Sequence, residues 1–362
     1  MMNRILQKSV ESVFLLVIVV GFLSCVSADK KTALAVPVPD TVRLLDVLCD
    51  CRILQEEIFV PDRFQPVSET GAAGANLKYE RGERDRWYIE EQRIAGDRIE
   101  AGIVHRMLDG DDKGLIDRAV RELDWAFSRQ GEDGGFPGCA DPFHSTEIFA
   151  GSVARGLLLI RQSELPEYQY IVDRYLDRLH KTGYWLVDSD IAREGKKTNQ
   201  PYTHRKHIIS EALGTIAWLT GDEYLSDAAL AYSREGLDLM TPDGLSPELG
   251  GLDASYMDAG AMMAMRYRLV CPDRETRDRI AYMAGRTLDY VSGRVDSEGN
   301  VDTRGDTRVG GTHVHRDGSP KRFNYSEGIT AFCLGYYTIG KPAYLDVARN
   351  IAKSGVHRVY MK

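Results

Sequence analysis

Cysteine is scarce, six residues in 362, and no two of them form a Cys-x-x-Cys pair. Such a scattered set excludes a disulfide framework or a zinc knuckle as the organising device. Cys49 and Cys51 stand two apart on an expected helix and point away from one another; with Cys139, Cys271 and Cys333 they read as small buried hydrophobes. Strand signals are almost missing too, apart from short stretches such as 300–304, so an all-β sandwich or barrel has no material. Beyond the first thirty residues no apolar run is long enough for a bilayer. Nor is there an excess of positive charge. The net charge of −8 argues against nucleic acid or a bulk polyanion as partner.

The first residues carry an export pattern. Arg4 and Lys8 form a basic start, residues 13–23 are apolar, and Val26-Ser27-Ala28 supplies small residues before polar Asp29-Lys30-Lys31. This is the order of a secretory signal. Residues 1–28 are therefore expected to be a signal peptide, and 29–362 a single domain. Phe22-Leu23-Ser24-Cys25 also resembles a lipobox, so cleavage before Cys25 would leave a membrane tether through a lipidated cysteine. The expected location is periplasmic, outer-membrane-anchored or secreted.

What the chain has in plenty is helical periodicity. Apolar residues recur at three and four over 88–108, 115–129, 145–161, 167–186, 204–219, 224–240, 255–270, 274–295, 325–339 and 343–359, with one more helix expected over 40–59. Short connections join the helices in pairs, and longer glycine-rich ones lead to the next pair. Asp133-Gly134-Gly135, Asp188-Ser189, Asp243-Gly244 and Glu298-Gly299-Asn300 open these long connections at a regular interval of 55 residues. A helical hairpin cannot bury its apolar face alone, so such a repeat stacks, either as an open solenoid or as a closed ring. The expected fold is all-α, an (α/α) toroid of five to seven hairpins with short β-hairpin insertions in its loops. Ala150-Gly151-Ser152, Glu211-Ala212-Leu213-Gly214 and Asp258-Ala259-Gly260-Ala261 place small residues on the first helix of each pair, where inner helices of a ring crowd together.

In such a ring the long loops gather at the N-termini of the inner helices, where backbone N–H groups and the helix dipole favour anions. Four loops concentrate polar, aromatic and basic residues there. Gln130-Gly131-Glu132-Asp133-Gly134-Gly135-Phe136 resembles a turn common to helical toroid enzymes and reads mainly as a brace; His144 to Glu147 follow it. Lys196 to Arg205 mixes Asn199, Gln200, Tyr202, His204 and Arg205. Pro247 to Asp258 offers Glu248, Asp253 as a helix cap and Tyr256 in the first turn. The longest loop, 296–324, alternates over 302–308 as a β-hairpin arm would, with Arg304 and Arg308 on it, then carries His313 and His315 and leads to Tyr325. Two histidines two apart on a strand can bind a metal, but no third ligand adjoins them, so no metal and no cofactor is expected.

Several Arg and His with Tyr and Asn at one mouth of an acidic protein suit an acidic sugar, whose carboxylate an Arg fork grips in bidentate fashion. A uronate polymer can be cut by β-elimination. The proton at C5 becomes removable once the carboxylate is neutralised, and a Tyr with its pKa lowered by a nearby Arg can act as base and acid, with His as the other common base. Here the chain resembles the helical-toroid polysaccharide lyases of the alginate and glucuronan type. Paired Asn followed by His in some of them corresponds to Asn199-Gln200 with His204, a departure from the pattern. The resemblance implies Tyr256 as base and acid, with Asn199, His204 and Arg308 around the carboxylate. Arg205, Tyr202, Gln200, Arg304, His313, His315, Tyr325, Glu248 and Asp253 are then substrate contacts, and the partner is an acidic polysaccharide or oligosaccharide. Two rivals stay open: a glycoside hydrolase using two of Asp133, Glu147, Glu248, Asp253, Asp258 and Glu327, and a glycan-binding protein without chemistry.

Overall fold

The computed structural model describes residues 42–310, 313–315 and 318–360, all within one unit spanning 37–362. The export signal, Cys25 and the start of the expected 40–59 helix lie outside the described residues. Fifteen helices make up the described chain, which is all-α. Among the described residues β-structure is limited to isolated bridges, Val295 to Val301 and Val314 to Pro320 among them.

Two short helices come first, α1 (Leu44–Asp50) and α2 (Arg52–Glu57). The expected 40–59 helix is thus divided, because Cys51 is extended at φ −86°, ψ 91° and ends one helix as it starts the next. A short α3 (Asn76–Glu80) follows. Five hairpins then succeed one another: α4 (Ile94–Asp109) with α5 (Leu115–Phe127), α6 (Pro142–Ser163) with α7 (Gln169–Asp188), α9 (Thr203–Thr220) with α10 (Glu223–Leu237), α11 (Ala254–Arg268) with α12 (Arg274–Ser292), and α13 (Tyr325–Ile339) with α14 (Ala343–Lys353). Between α7 and α9 lies α8 (Asp190–Thr198), and α15 (Val356–Tyr360) closes the chain.

Side-chain caps start several of these helices, each filling an N–H that the helix itself cannot pair. Asp222 accepts from Leu225 N at 3.1 Å, Asp253 from Tyr256 N at 3.0 Å, Asp273 from Thr276 N at 2.8 Å and Asn324 from Glu327 N at 3.3 Å. Glycines in the left-handed region stop α4, α9 and α13.

The first helices of the pairs pack in succession, α4 on α6, α6 on α9, α9 on α11 and α11 on α13, while each also packs on its own partner. From α4 to α9 contacts keep a near-constant offset along the chain, and from α11 to α13 the offset widens to 69 residues, between Ser255 and Asn324. Arg155 on α6 meets Glu100 on α4 at 2.7 Å, 55 residues away, and Glu211 on α9 at 2.8 Å, 56 residues away. A constant offset means that these helices run parallel with their N-termini at one end, and the 55-residue period in the sequence is the period of the packing. The small residues serve close approach: a Cβ on Gly96 would stand 2.1 Å from the Ser152 carbonyl oxygen. The glycine turns clamp the outer helices. Gly134, at φ +90°, tucks against the Lys181 carbonyl of α7, and Gly299, at φ +84°, against the Asn350 carbonyl of α14. Gln130 adds bonds to the Arg178 carbonyl and the Thr182 hydroxyl, both 2.8 Å, so that loop braces α7 as its sequence suggests.

The expected β-hairpin over 302–308 is replaced by turns. Asp302 accepts from Arg304 N at 3.0 Å, Asp306 N donates to the Thr303 carbonyl, and Gly305 and Gly310 are left-handed. Helix α8, unforeseen, forms because Ser189 caps it and its apolar side, centred on buried Ala192, meets α6 and α7.

Candidate active site

The parallel first helices bring the starts of α6, α9, α11 and α13 to one end, and the loops before them converge there. Glu248 is the hub. Its strand-like turn is pinned by Glu248 N to the Gly251 carbonyl at 2.8 Å and by the Thr307 hydroxyl on the Glu248 carbonyl at 2.9 Å, with Leu249 forced to φ +53°. A non-glycine residue in that region is strained, and strain of this kind gathers at functional sites. The carboxylate, 1% exposed, accepts from His204 Nδ1 at 2.9 Å and from Arg308 at 2.8 Å. Burial pushes Glu248 up, but the charges and hydrogen bonds of His204 and Arg308 outweigh it and keep the group ionised below its usual range.

An ionised carboxylate only accepts, so His204 Nδ1 carries the proton and Nε2 keeps the lone pair. Among the described residues Nε2 has no hydrogen-bond partner. Burial lowers the His204 pKa, Glu248 opposes this, and Arg308 and Arg205 add to it. The ring is therefore neutral at neutral pH. It leans on Tyr256, centroids 4.8 Å apart. Above the Tyr256 ring lies the Arg308 guanidinium at 3.5 Å, and the Tyr256 hydroxyl accepts from Lys321 at 2.7 Å. The expected lowering of the Tyr256 pKa is corrected here. Burial pushes it up to about 12, because Arg308 sits on the ring face rather than at the oxygen and cannot offset the lost water. Burial, then Arg308 and Arg205, bring Lys321 down to about 8.

A second carboxyl, Glu147 in the first turns of α6, is fully buried and pushed well up by burial, with Arg205 opposing. It meets His144 at 2.7 Å and the Asn199 amide at 3.2 Å. Helix α8 positions Asn199: Gly195 lacks a side chain where Phe143 of α6 would stand 2.3 Å from a Cβ, so the helix lies flat on the start of α6. Arg205 donates to the Asn199 oxygen at 2.6 Å and stacks on Tyr202 at 4.4 Å, while Arg308 approaches the same ring at 5.0 Å. One chain of contacts thus runs from Glu147 through Asn199, Arg205, Tyr202, Arg308, Glu248 and His204 to Tyr256 and Lys321.

Of the residues named from sequence, Tyr256, His204, Arg308, Asn199, Arg205, Tyr202, Glu248 and Asp253 come together. Their duties differ from those expected. Asn199 is engaged at both ends of its amide and so positions Arg205 instead of meeting a substrate carboxylate. Asp253 caps α11 and accepts from Arg308 N at 2.7 Å and Val309 N at 3.0 Å, a role in shaping the loop rather than in binding. Glu248 is enclosed by its own partners. Gln200 is exposed on the turn after α8. Arg304 is exposed and paired with Asp302 at 2.7 Å. Tyr325 accepts from Val301 N at 3.3 Å and packs on Phe323, bracing a turn. His313 is half-buried and His315 exposed, flanking the Val314 to Pro320 bridge. Among the described residues no three His, Cys, Asp or Glu converge as a metal set. Lys321 was missed; the excess of Lys and Arg in the 302–322 loop was its only trace.

Deeper between the first helices lie further charges. Arg155 bridges Glu100 and Glu211, and Arg266 feels both of those acids. Asp258, 1% exposed, has no partner for either carboxylate oxygen among the described residues, and burial with the nearby Glu327 pushes it well above its usual range. A separate depression on the outer side of α12, lined by Arg274, Glu275, Asp278, Arg279 and Tyr282, is built from one helix alone and brings no reactive set together. Comparison of the chain with protein-family models, curated proteins and solved structures finds no match.

Proposed function

We propose that the protein is a polysaccharide lyase that cleaves a uronate-containing polysaccharide by β-elimination, with its five hairpins closed into an (α/α) ring around the site. The observation that carries this reading is one cluster: a neutral histidine with a free Nε2, held by an ionised Glu248, against a protonated tyrosine whose hydroxyl takes a hydrogen bond from a cation. His204 Nε2 removes the C5 proton. The C5–H electrons become the C4–C5 double bond, the C4–O4 bond breaks, and Tyr256 gives its proton to the departing O4. Lys321 then stabilises the tyrosinate until the proton on His204 returns through solvent. Arg205 and Lys321 supply the positive charge that the substrate carboxylate needs while charge builds at C5. This changes the division of labour drawn from resemblance, in which Tyr256 was also the base; a phenol held near 12 serves as acid, and the lowered histidine is the better base at neutral pH.

The lyase reading is tested by incubating the protein with alginate, glucuronan, pectate and glycosaminoglycans separately, and following the ultraviolet absorbance of an unsaturated uronate. A rise with one polymer supports it. New reducing ends without that band would point to a second reading, a glycoside hydrolase. That reading rests on Asp258 and Glu327, two carboxyl groups both raised by burial, which could divide acid and base work. An acidic polysaccharide as partner and an exported location belong to the same proposal.

A further inference from the structure

The end of the fold opposite the mouth carries a group of exposed apolar side chains. The first helices of the pairs run parallel, so their C-terminal turns share that end. Met107 and Leu108 lie in the last turn of α4 and Trp218 in the last turn of α9, each about half exposed. Tyr170 and Tyr224, in the first turns of α7 and α10, follow directly on the ends of α6 and α9 and are exposed too. Bonds across the connections tie these ends together: Arg106 to Glu167 at 2.9 Å, the Tyr168 hydroxyl to Asp112 at 2.9 Å, and the Gln169 amide to the Ile160 carbonyl at 3.1 Å. The chain enters the described fold at this same end. Arg43 donates to the Gln162 carbonyl in the last turn of α6 at 3.4 Å, and Leu45 N donates to the Gln162 side chain at 3.0 Å. Ahead of that entry the sequence holds the apolar run 13–23.

We propose that this end is a membrane-facing surface, and that the protein lies on a phospholipid bilayer with its mouth turned to the water. The N-terminal segment brings the fold to the bilayer. The stretch from Leu23 to Val42 reaches at most about 60 Å when extended, enough for the fold to turn freely, so it sets nearness and not orientation. Orientation comes from the apolar side chains. Met107 and Leu108 gain by leaving water. Trp218, Tyr170 and Tyr224, apolar in body and polar at one edge, favour the zone between headgroups and acyl chains. Single exposed apolar residues are ordinary on a folded chain, but a group of them at the end where an apolar leader enters points to a partner. Cations at this end already face acids: Arg43 with Asp46 at 2.6 Å, Arg106 with Glu167, and Lys113 with Asp111 at 3.4 Å. The attraction therefore rests on apolar contact and needs no anionic lipid. A mouth turned from the bilayer stays open to a polymer in the surrounding water. The inference shares the exported location with the lyase proposal and needs none of its chemistry.

Trp218, 50% exposed, reports on this surface alone, because the other three tryptophans are buried: Trp87 is 6% exposed, Trp125 3% and Trp185 5%. The test reconstitutes the full chain into phosphatidylcholine vesicles with brominated acyl chains and compares tryptophan emission with that in unbrominated vesicles. Wild-type emission should be quenched, whereas Trp218→Phe should stay on the vesicles and lose the quenching. Leu108→Asp should weaken the quenching with its circular dichroism unchanged. Trypsin should cut after Arg304, whose side chain is 92% exposed at the mouth, as fast on vesicles as in detergent micelles. Protein that does not float with the vesicles, vesicle-bound protein whose Trp218 is unquenched, or protection of Arg304 by the vesicles would overturn the proposal. The unsaturated-uronate band is read separately and without lipid, so a failed lyase assay leaves this result standing.

Discussion

At the scale of the residue, the account turns on which groups hold protons. His204 must be neutral to accept one, and its pKa is lowered, so activity should fall only below the usual histidine range. Lys321 must be charged to steady the tyrosinate, and its pKa is about 8, so activity should also fall as the pH passes that value. A bell-shaped profile of kcat/KM with its basic limb near 8 is expected, and Lys321→Met should remove that limb while lowering kcat; a limb unchanged in the variant would refute the assignment. Glu248→Gln should cut activity by about 10²-fold or more, since the amide can turn its N–H₂ to His204 Nδ1 and impose the wrong tautomer. Measuring the rate alongside circular dichroism separates this from unfolding. Tyr256 and His204 were legible in the sequence as residues at helix starts, and Arg308 as one within the long loop before α13, each in a stretch rich in mixed polar types. Their roles were not, because a pKa depends on burial and on where a cation stands relative to the hydroxyl, and neither can be read from spacing. Lys321 was invisible for a related reason: only folding brings it to Tyr256, 65 residues away.

At the scale of the element, the hairpin repeat was written plainly in the sequence. Three- and four-residue periodicity gave the long helices, and the acidic-glycine turns gave their phase, because each such turn must tuck under the next outer helix where a side chain has no room. Gly299→Ala should therefore destabilise the fold by more than about 1 kcal/mol, as a Cβ would meet the Asn350 carbonyl oxygen at 1.9 Å; thermal unfolding measures it. Arg155 ties three helices through Glu100 and Glu211. Arg155→Met leaves two buried acids unpaired and should cost about 3–5 kcal/mol, whereas Arg161→Met, at the exposed end of α6, should cost little. The arm at 302–308 misled because alternating polar residues look like a strand until Asp302 and Thr303 capture neighbouring N–H groups for turns. Helix α8 was hidden by the opposite effect: its composition is that of a solvated basic loop, and its few apolar contacts with α6 and α7 decide the matter.

At the scale of the whole molecule, the order of packing from α4 through α6, α9 and α11 to α13 is complemented by α1 against α4 and α2 against α13. In the ring we propose, α1 and α2 would join the first hairpin to the last, and their core residues are as buried as those of the long helices. Small-angle scattering of residues 29–362 should give a radius of gyration near 20 Å, about that of a compact domain of this length; a clearly larger value would favour an open solenoid. The most direct test of the central claim compares Tyr256→Phe with Asp258→Asn on whichever uronate polymer the wild-type protein converts to an unsaturated product, reading the initial rate of the ultraviolet band. The account predicts that Tyr256→Phe, which loses one hydroxyl, falls by about 10²–10⁴-fold with its fold intact, while Asp258→Asn keeps most of the rate. A fully active Tyr256→Phe together with an inactive, folded Asp258→Asn would contradict it and place the chemistry on the buried carboxyl groups instead.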